Sequence, residues 1–243
     1  LLQELFQKKK KRQMNRQQKK NIAQNLKKVK EKIFEKNNSN EIKLVAVTKT
    51  RSPQEVFEII SLGVKAIGEN RVQEAENKFP KVLNINLVEK RLIGKLQTNK
   101  TKKAVSLFDT IDSVSSYRLA KKISKAAGIQ SKKQRVLIQI NTSREATKSG
   151  FSPEEKKEIL MCFDLSNIKI EGLMTMGPLT NKKEDTQKSF ILLKKMFLEI
   201  NKKILPEQEM KTISMGMSGD FLIGIENGST MVRVGTAIFG KRK

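Results

Sequence analysis

Apolar residues in this chain follow two alternating rhythms. Near the N-terminus, Ile22, Leu26, Val29 and Ile33 are spaced four, three and four apart. That spacing predicts one apolar helical stripe. It stops at the polar cluster Asn37-Asn38-Ser39-Asn40, a loop signal. Short runs rich in Val and Ile then recur: KLVAVTK (43–49), KAIGEN (65–70), RLIGKL (91–96), DTIDSV (109–114), RVLIQINTS (135–143), IEGLMTMG (170–177), KTISMGMS (211–218) and TMVRVGTAIFG (230–240). Several are apolar on both faces, as buried parallel strands are. Helix-like stretches separate them. Pro53 sits at a first helical position before Gln54–Leu62, and Gly63 follows as a stop. Ser152-Pro153-Glu154-Glu155 predicts another helix start, with Ser152 as N-cap. A long helix is expected from about Glu184 to Ile204, before Pro206.

Eight strands alternating with helices imply a parallel sheet with right-handed crossovers. Over about 200 residues they predict a single α/β domain, a (β/α)₈ TIM barrel with an extra N-terminal helix. The rival, an open doubly wound sheet, is weakened because no Gly-rich dinucleotide fingerprint follows the first strand. Residues 1–20 (LLQELFQKKKKRQMNRQQKK) are basic and of low complexity, and are expected to be a disordered extension. The barrel domain is expected over 21–243.

Composition narrows the chemistry. The chain has no His and a single Cys, Cys162. A zinc or iron–sulfur site is therefore not expected, and Ser-His-Asp or Cys-His catalysis is excluded. No apolar run approaches the roughly 18 residues of a membrane span, and the basic N-terminus has no signal-peptide core. A cytoplasmic protein with no membrane partner is expected. The formal charge is +25, with 13 Lys/Arg against 3 Glu in residues 1–36. Aromatics are only 5%, with no Trp and one Tyr, so no specific nucleic-acid partner is expected. The lysines are read as solvated helix faces; the rival reading is salt-sensitive association with polyanions.

In a barrel of this kind the site lies at the C-terminal ends of the strands. Lys49 closes the apolar strand 44–47, so its amine is expected to point across the barrel mouth. In a partly dry site a lysine becomes nucleophilic toward an aldehyde. The plainer reading is a lysine that ends a strand and meets water. Ser214–Gly219, before a helix at 220–226, and Gly235-Thr236 together suggest a phosphate cradle of hydroxyls and glycine-exposed amides. Ordinary turn chemistry uses the same residues. Arg233 precedes Gly235 by two positions and so shares its face. From there it can reach a ring carried by that phosphate, or form an ion pair at the barrel mouth.

The segments VAVTKTRSPQEV, IGENRVQEAENKF, RLIGKLQTNKTKKA, IDSVSSYRLA, VLIQINTSREATKSGF, IEGLMTMGP, SMGMSGDF and GSTMVRVGTAIFGKR run in order from about residue 21 to the C-terminus. Together they resemble the pyridoxal phosphate homeostasis protein family, a group related to the N-terminal barrel of alanine racemase. The resemblance implies a PLP fold type III-like barrel holding pyridoxal 5′-phosphate (PLP) as a Schiff base on Lys49. It implies that Asn70 lines the cofactor and that Ser214, Met217, Ser218, Gly235 and Thr236 hold its phosphate. Arg233 would face the pyridine nitrogen. An arginine does not readily give up a proton, so the ring would be a poor electron sink. Members often carry His where this chain reads Lys95. The chain ends three residues after Gly240, so no C-terminal β-domain is expected. The resemblance sets the catalytic tyrosine of racemases in such a domain, and Tyr117 is the only tyrosine here. The expected function is PLP homeostasis: a monomeric carrier that buffers the cofactor or delivers it to apo-enzymes, without robust catalysis and with no residue assigned a catalytic role. The alternative is a PLP-dependent amino-acid racemase or lyase. Lys148, after the fifth strand, is a further candidate for attracting the phosphate during entry or release.

Overall fold

The computed structural model describes residues 14–37, 42–180 and 182–241. Eight parallel strands close into one barrel in chain order. They are β1 (Lys43–Val47), β2 (Ala66–Glu69), β3 (Glu89–Leu92), β4 (Thr110–Val114), β5 (Gln134–Gln139), β6 (Ile168–Met174), β7 (Thr212–Ser214) and β8 (Met231–Val234). Closure comes from β1 pairing with β8, with Val45 opposite Arg233 and Ala46 opposite Val234. Among the described residues the α-helices are α1 (Arg16–Asn37), α2 (Pro53–Ser61), α3 (Val72–Lys78), α4 (Thr101–Leu107), α5 (Tyr117–Ile129), α6 (Lys156–Met161), α7 (Lys183–Asn201), α8 (Phe221–Glu226) and α9 (Thr236–Phe239). None is long and apolar enough to cross a membrane.

The main core lies between the strands and the helices. Ala46, Ile67, Leu92, Ile111, Val136 and Val232 face outward into it. Val45, Ala66 and Met231 form a separate small cluster inside the barrel. Side chains alternate along a strand, so Val47, Gly68 and Arg233 share that inner face. The inner surface is unusually polar. Arg91 is fully buried and donates through Nε and Nη2 to both oxygens of Asp112, at 2.9 Å each. Its Nη1 lies 2.9 Å from Glu89 Oε1, close enough for ionic attraction though not aligned as a hydrogen bond. Glu89 also meets Arg135 at 2.8 Å and Lys43 at 3.2 Å.

Several element boundaries differ from those expected. Helix α1 begins at Arg16, inside the segment expected to be disordered. Asn15 starts it: the Gln18 N–H donates to Asn15 Oδ1 (2.8 Å), and the Asn15 N–H to Gln18 Oε1 (3.2 Å). This is the reciprocal pairing of a capping box. Residues 1–13 of that segment lie outside the described residues. Ile22, Leu26, Val29 and Ile33 form the buried stripe of α1, as their spacing predicts. Ser152 does not cap α6, which begins only at Lys156. Instead Ser152 and Glu155 close a turn, with the Glu155 N–H on the Ser152 carbonyl (3.0 Å). Helix α7 ends at Asn201 rather than near Ile204, because the Asn201 side chain exchanges two 3.0 Å hydrogen bonds with the Met210 main chain. The run expected as one strand over 230–240 is β8 followed by the helical turn α9.

Candidate functional site

Lys49 lies two residues beyond β1, in a turn over Thr48–Thr50, and is half-buried. By alternation from Val45 and Val47 it shares the inner face of the barrel. The adjacent strand β8 supplies the next features. Gly235 abuts Val47: a Cβ on Gly235 would lie 3.2 Å from Val47 Cβ. Arg233 sits two residues lower, opposite Val45. Lys49, Gly235 and Arg233 therefore occupy successive levels on neighbouring strands, about 7 Å of strand apart per level.

The Ser218 hydroxyl accepts from two main-chain donors, Gly235 N–H at 3.0 Å and Ala237 N–H at 3.2 Å. Two amides at the start of α9 thus converge on a single oxygen. Gly216 brings the β7–α8 loop to this point. Its φ is +99°, and a Cβ there would lie 2.7 Å from Phe221 Cα. Met217 is 37% exposed, and its N–H is taken by Asp220 Oδ1. Thr236 is exposed at the first position of α9. Ser214, the last residue of β7, is buried below this point and accepts from Arg233 Nη1. Asn70 is half-buried at the end of β2. The chain after β3 packs directly on its main chain, because a Cβ on Gly94 would lie 2.3 Å from the Asn70 carbonyl oxygen. Lys49, Ser218, Gly235 and Arg233 are thus grouped along the β1–β8 seam. Ser214 supports the arginine, and Met217 contributes a side chain at the open rim.

Arg233 is 3% exposed, and its hydrogen bonds go to neutral acceptors: Ser214 Oγ and, at 2.7 Å from Nη2, the Thr175 carbonyl. Burial pulls its pKa down to about 10, against the opposing influence of Asp112 and Asp220. At neutral pH it remains a cation and a donor. Lys148 does not sit free in its loop. It pairs with Glu145 at 2.8 Å and donates to the Gly177 carbonyl at 2.7 Å, tying the β5–α6 loop to the end of β6. Lys95 is exposed. Tyr117 opens α5, with the Lys121 ammonium 5.7 Å from its ring centre. Burial pushes the Cys162 thiol up to about 12, so it is not a nucleophile. Among the described residues no group of His, Cys, Asp and Glu has metal-binding geometry.

The sequence profile of the family "Alanine racemase, N-terminal domain" matches residues 18–243. A pyridoxal phosphate homeostasis protein of Aquifex aeolicus is 39% identical over 202 residues, covering 83% of this chain and 87% of that protein. One from Haemophilus influenzae is 36% identical over 230 residues, covering 91% and 96%. This chain belongs to the pyridoxal phosphate homeostasis protein family. Among solved structures, PipY of Synechococcus elongatus with PLP bound is 31% identical, with a TM-score of 0.80 over 90% of this chain and all of that one. An unknown protein from Bifidobacterium adolescentis matches with TM-score 0.87 and 32% identity over 93% and 97%. Alanine racemase of Clostridium difficile, at 21% identity and TM-score 0.76, shares the barrel over 92% of this chain and 57% of its own length.

Two parts of the site escape a reading of the sequence. The Arg91–Asp112 pair lies within Coulombic reach of Arg233. Its signal was a charged residue at an inward position of each run, Arg91 in RLIG and Asp112 in DTIDSV. The second is Thr175, whose carbonyl holds Arg233 and whose hydroxyl joins Thr142 (2.8 Å) and the Ile140 carbonyl (2.9 Å). Nothing in the segment Met174-Thr175-Met176 marks it out in advance.

Proposed function

We propose that this family member holds PLP covalently through Lys49, as a Schiff base, and serves intracellular PLP homeostasis by buffering the cofactor or delivering it to apo-enzymes. One observation carries the reading. Two main-chain N–H groups converge on the Ser218 oxygen beside an inward-facing lysine and above a buried arginine that, among the described residues, has no carboxylate within ion-pair distance. Amides that meet on one oxygen suit a phosphate oxygen equally well. Arg233 spends two of its donors on neutral acceptors, so an additional acceptor from a ring nitrogen suits its buried charge. The residues present therefore fit PLP, as does the PLP-bound relative PipY.

In this reading Lys49 supplies the amine, Ser218, Gly235 and Thr236 bind the phosphate, and Met217 and Asn70 border the cofactor. Ser214 orients Arg233. When bound, PLP supplies an electrophilic aldehyde and an electron-withdrawing ring. Arg233, a cation that keeps its proton at neutral pH, donates toward the ring nitrogen and does not protonate it. That damps carbanion chemistry and favours holding over turnover. Delivery to apo-enzymes, action in the cytoplasm and a monomeric state belong to the same proposal.

Borohydride reduction of the PLP-treated protein, followed by peptide mapping, tests the covalent hold. The expected product is one phosphopyridoxyl group on the Lys49 peptide. Label spread over many surface lysines would contradict it. For delivery, loaded protein mixed with an apo-enzyme should restore its activity faster than the same concentration of free PLP held by a scavenger. Equal rates would remove the carrier role.

A further inference from the structure

On the outer side of the barrel wall, level with Lys49, lies a buried ionic cluster that the binding site does not include. We propose that Glu74, Lys78 and Glu69 are positioning residues that fix the turn carrying Lys49 and so aim its amine. The inference rests on the reading of Lys49 as the cofactor lysine.

Lys78 ends α3 and is only 6% exposed. All three of its donors are used: on the Thr48 carbonyl at 2.8 Å, on Glu69 Oε1 at 2.8 Å and on Glu74 Oε1 at 2.7 Å. The Thr48 hydroxyl donates to the same Glu69 oxygen at 2.6 Å. The Thr50 N–H donates to the same Glu74 oxygen at 2.5 Å. Both neighbours of Lys49 are therefore tied through their main chains to one cluster, Thr48 by its carbonyl and Thr50 by its amide.

The turn needs such a clamp. Thr50 has φ +63°, the left-handed region, which a β-branched residue rarely occupies. Such a conformation persists where the surroundings over-determine it, and it gathers at functional sites. Simple stability does not account for the cluster. Burying an ammonium and two carboxylates is costly, and packed apolar side chains often serve a core equally well or better. Here Glu69 Oε2 is buried with no hydrogen-bond partner, and burial raises the Glu69 pKa despite Lys78. The geometry this cost maintains is that of residues 48–50. Glu69 follows Gly68 on β2 and points outward, away from the barrel interior. The cluster thus touches the main chain flanking Lys49 and lies outside the cofactor's face.

Glu74 is the residue to change, because it is part-exposed in the first turn of α3 and alanine there leaves the helix intact. Full-length wild type, Glu74→Ala and Glu74→Gln are compared in two ways. The first is the rate and yield of PLP adduct, read by absorbance and by borohydride trapping on the Lys49 peptide. The second uses no cofactor: the rate at which limiting acetic anhydride acylates Lys49 in the apo-protein, relative to the exposed Lys182. Glu74→Ala should slow adduct formation about tenfold, since small misplacements of a reacting group are costly. It should also change the relative acylation of Lys49. Glu74→Gln keeps an oxygen acceptor for Thr50 N–H and Lys78, and should recover most of both. Wild-type behaviour of Glu74→Ala in both measurements overturns the proposal, and so does equal impairment of the two variants. If wild type forms no adduct at all, the cofactor reading fails instead, and the acylation rates still decide whether the cluster aims Lys49.

Discussion

At the residue scale, the two arginines inside the barrel differ in what their charge meets. Arg91 is held by both oxygens of a fully buried Asp112, and Asp112 with Glu89 keeps its pKa raised although burial opposes this. Removing Arg91 strands a buried carboxylate, a change that typically costs 3–5 kcal/mol. Among the described residues Arg233 holds only neutral acceptors, so its removal loses two hydrogen bonds but also relieves a buried charge with no ion pair there. Arg91→Met should therefore lower unfolding stability by about 4 kcal/mol. Arg233→Met should cost no more than about 2 kcal/mol while weakening PLP retention strongly. Urea unfolding of both variants checks the pair, and an Arg233→Met cost as large as that of Arg91→Met would contradict it. Lys49, Gly235 and Arg233 could be located from strand alternation alone. The Arg91–Asp112 pair could not, because alternation says that both face inward from β3 and β4 but not the register that lets these neighbouring strands bring them together.

At the element scale, strand and helix identity followed from hydrophobic rhythm, whereas boundaries depended on single hydrogen bonds. Helix α2 was legible at its start. Pro53 occupies the first turn, the Glu55 N–H donates to Ser52 Oγ (3.2 Å), and the Ser52 N–H donates to Glu55 Oε2 (2.8 Å). Ser52→Ala should cost about 1 kcal/mol in denaturant unfolding, and no measurable loss would mean the cap adds nothing. The similar-looking Ser152-Pro153-Glu154-Glu155 gave a turn instead, since the Ser152 N–H donates to the Glu155 carboxylate and the Glu155 N–H to the Ser152 carbonyl before Lys156. The start of α1 was missed because a basic, Gln-rich stretch carries no hydrophobic rhythm. Its cap pair, Asn15 and Gln18, was visible only as two amides three apart. The β8 run overextended because Ala237-Ile238-Phe239 reads equally well as strand, while the chain turns at Gly235 into α9.

At the scale of the whole molecule, the barrel is closed at its N-terminal end by charge as well as by apolar packing. Glu89 joins Arg91, Arg135 and Lys43, on three other elements or positions of the wall. Burial alone would raise its pKa, but these cations outweigh it and hold the carboxyl at about 2, against an ordinary 4.5. A depressed carboxyl stabilises the fold fully above its unfolded value and loses that contribution as pH falls through the folded one. Glu89 should therefore contribute up to about 3 kcal/mol above pH about 4.5, disappearing toward pH about 2. Stability measured from pH 6 to pH 2 should fall less steeply for Glu89→Gln than for wild type, and parallel curves would contradict this. Lys49 lies at the opposite, open end, where the cofactor would be held. Titrating PLP into wild type and Lys49→Ala while recording visible absorbance tests this most directly. Wild type should develop a saturable imine band near one equivalent and the variant none. An equal band in both proteins would contradict the account.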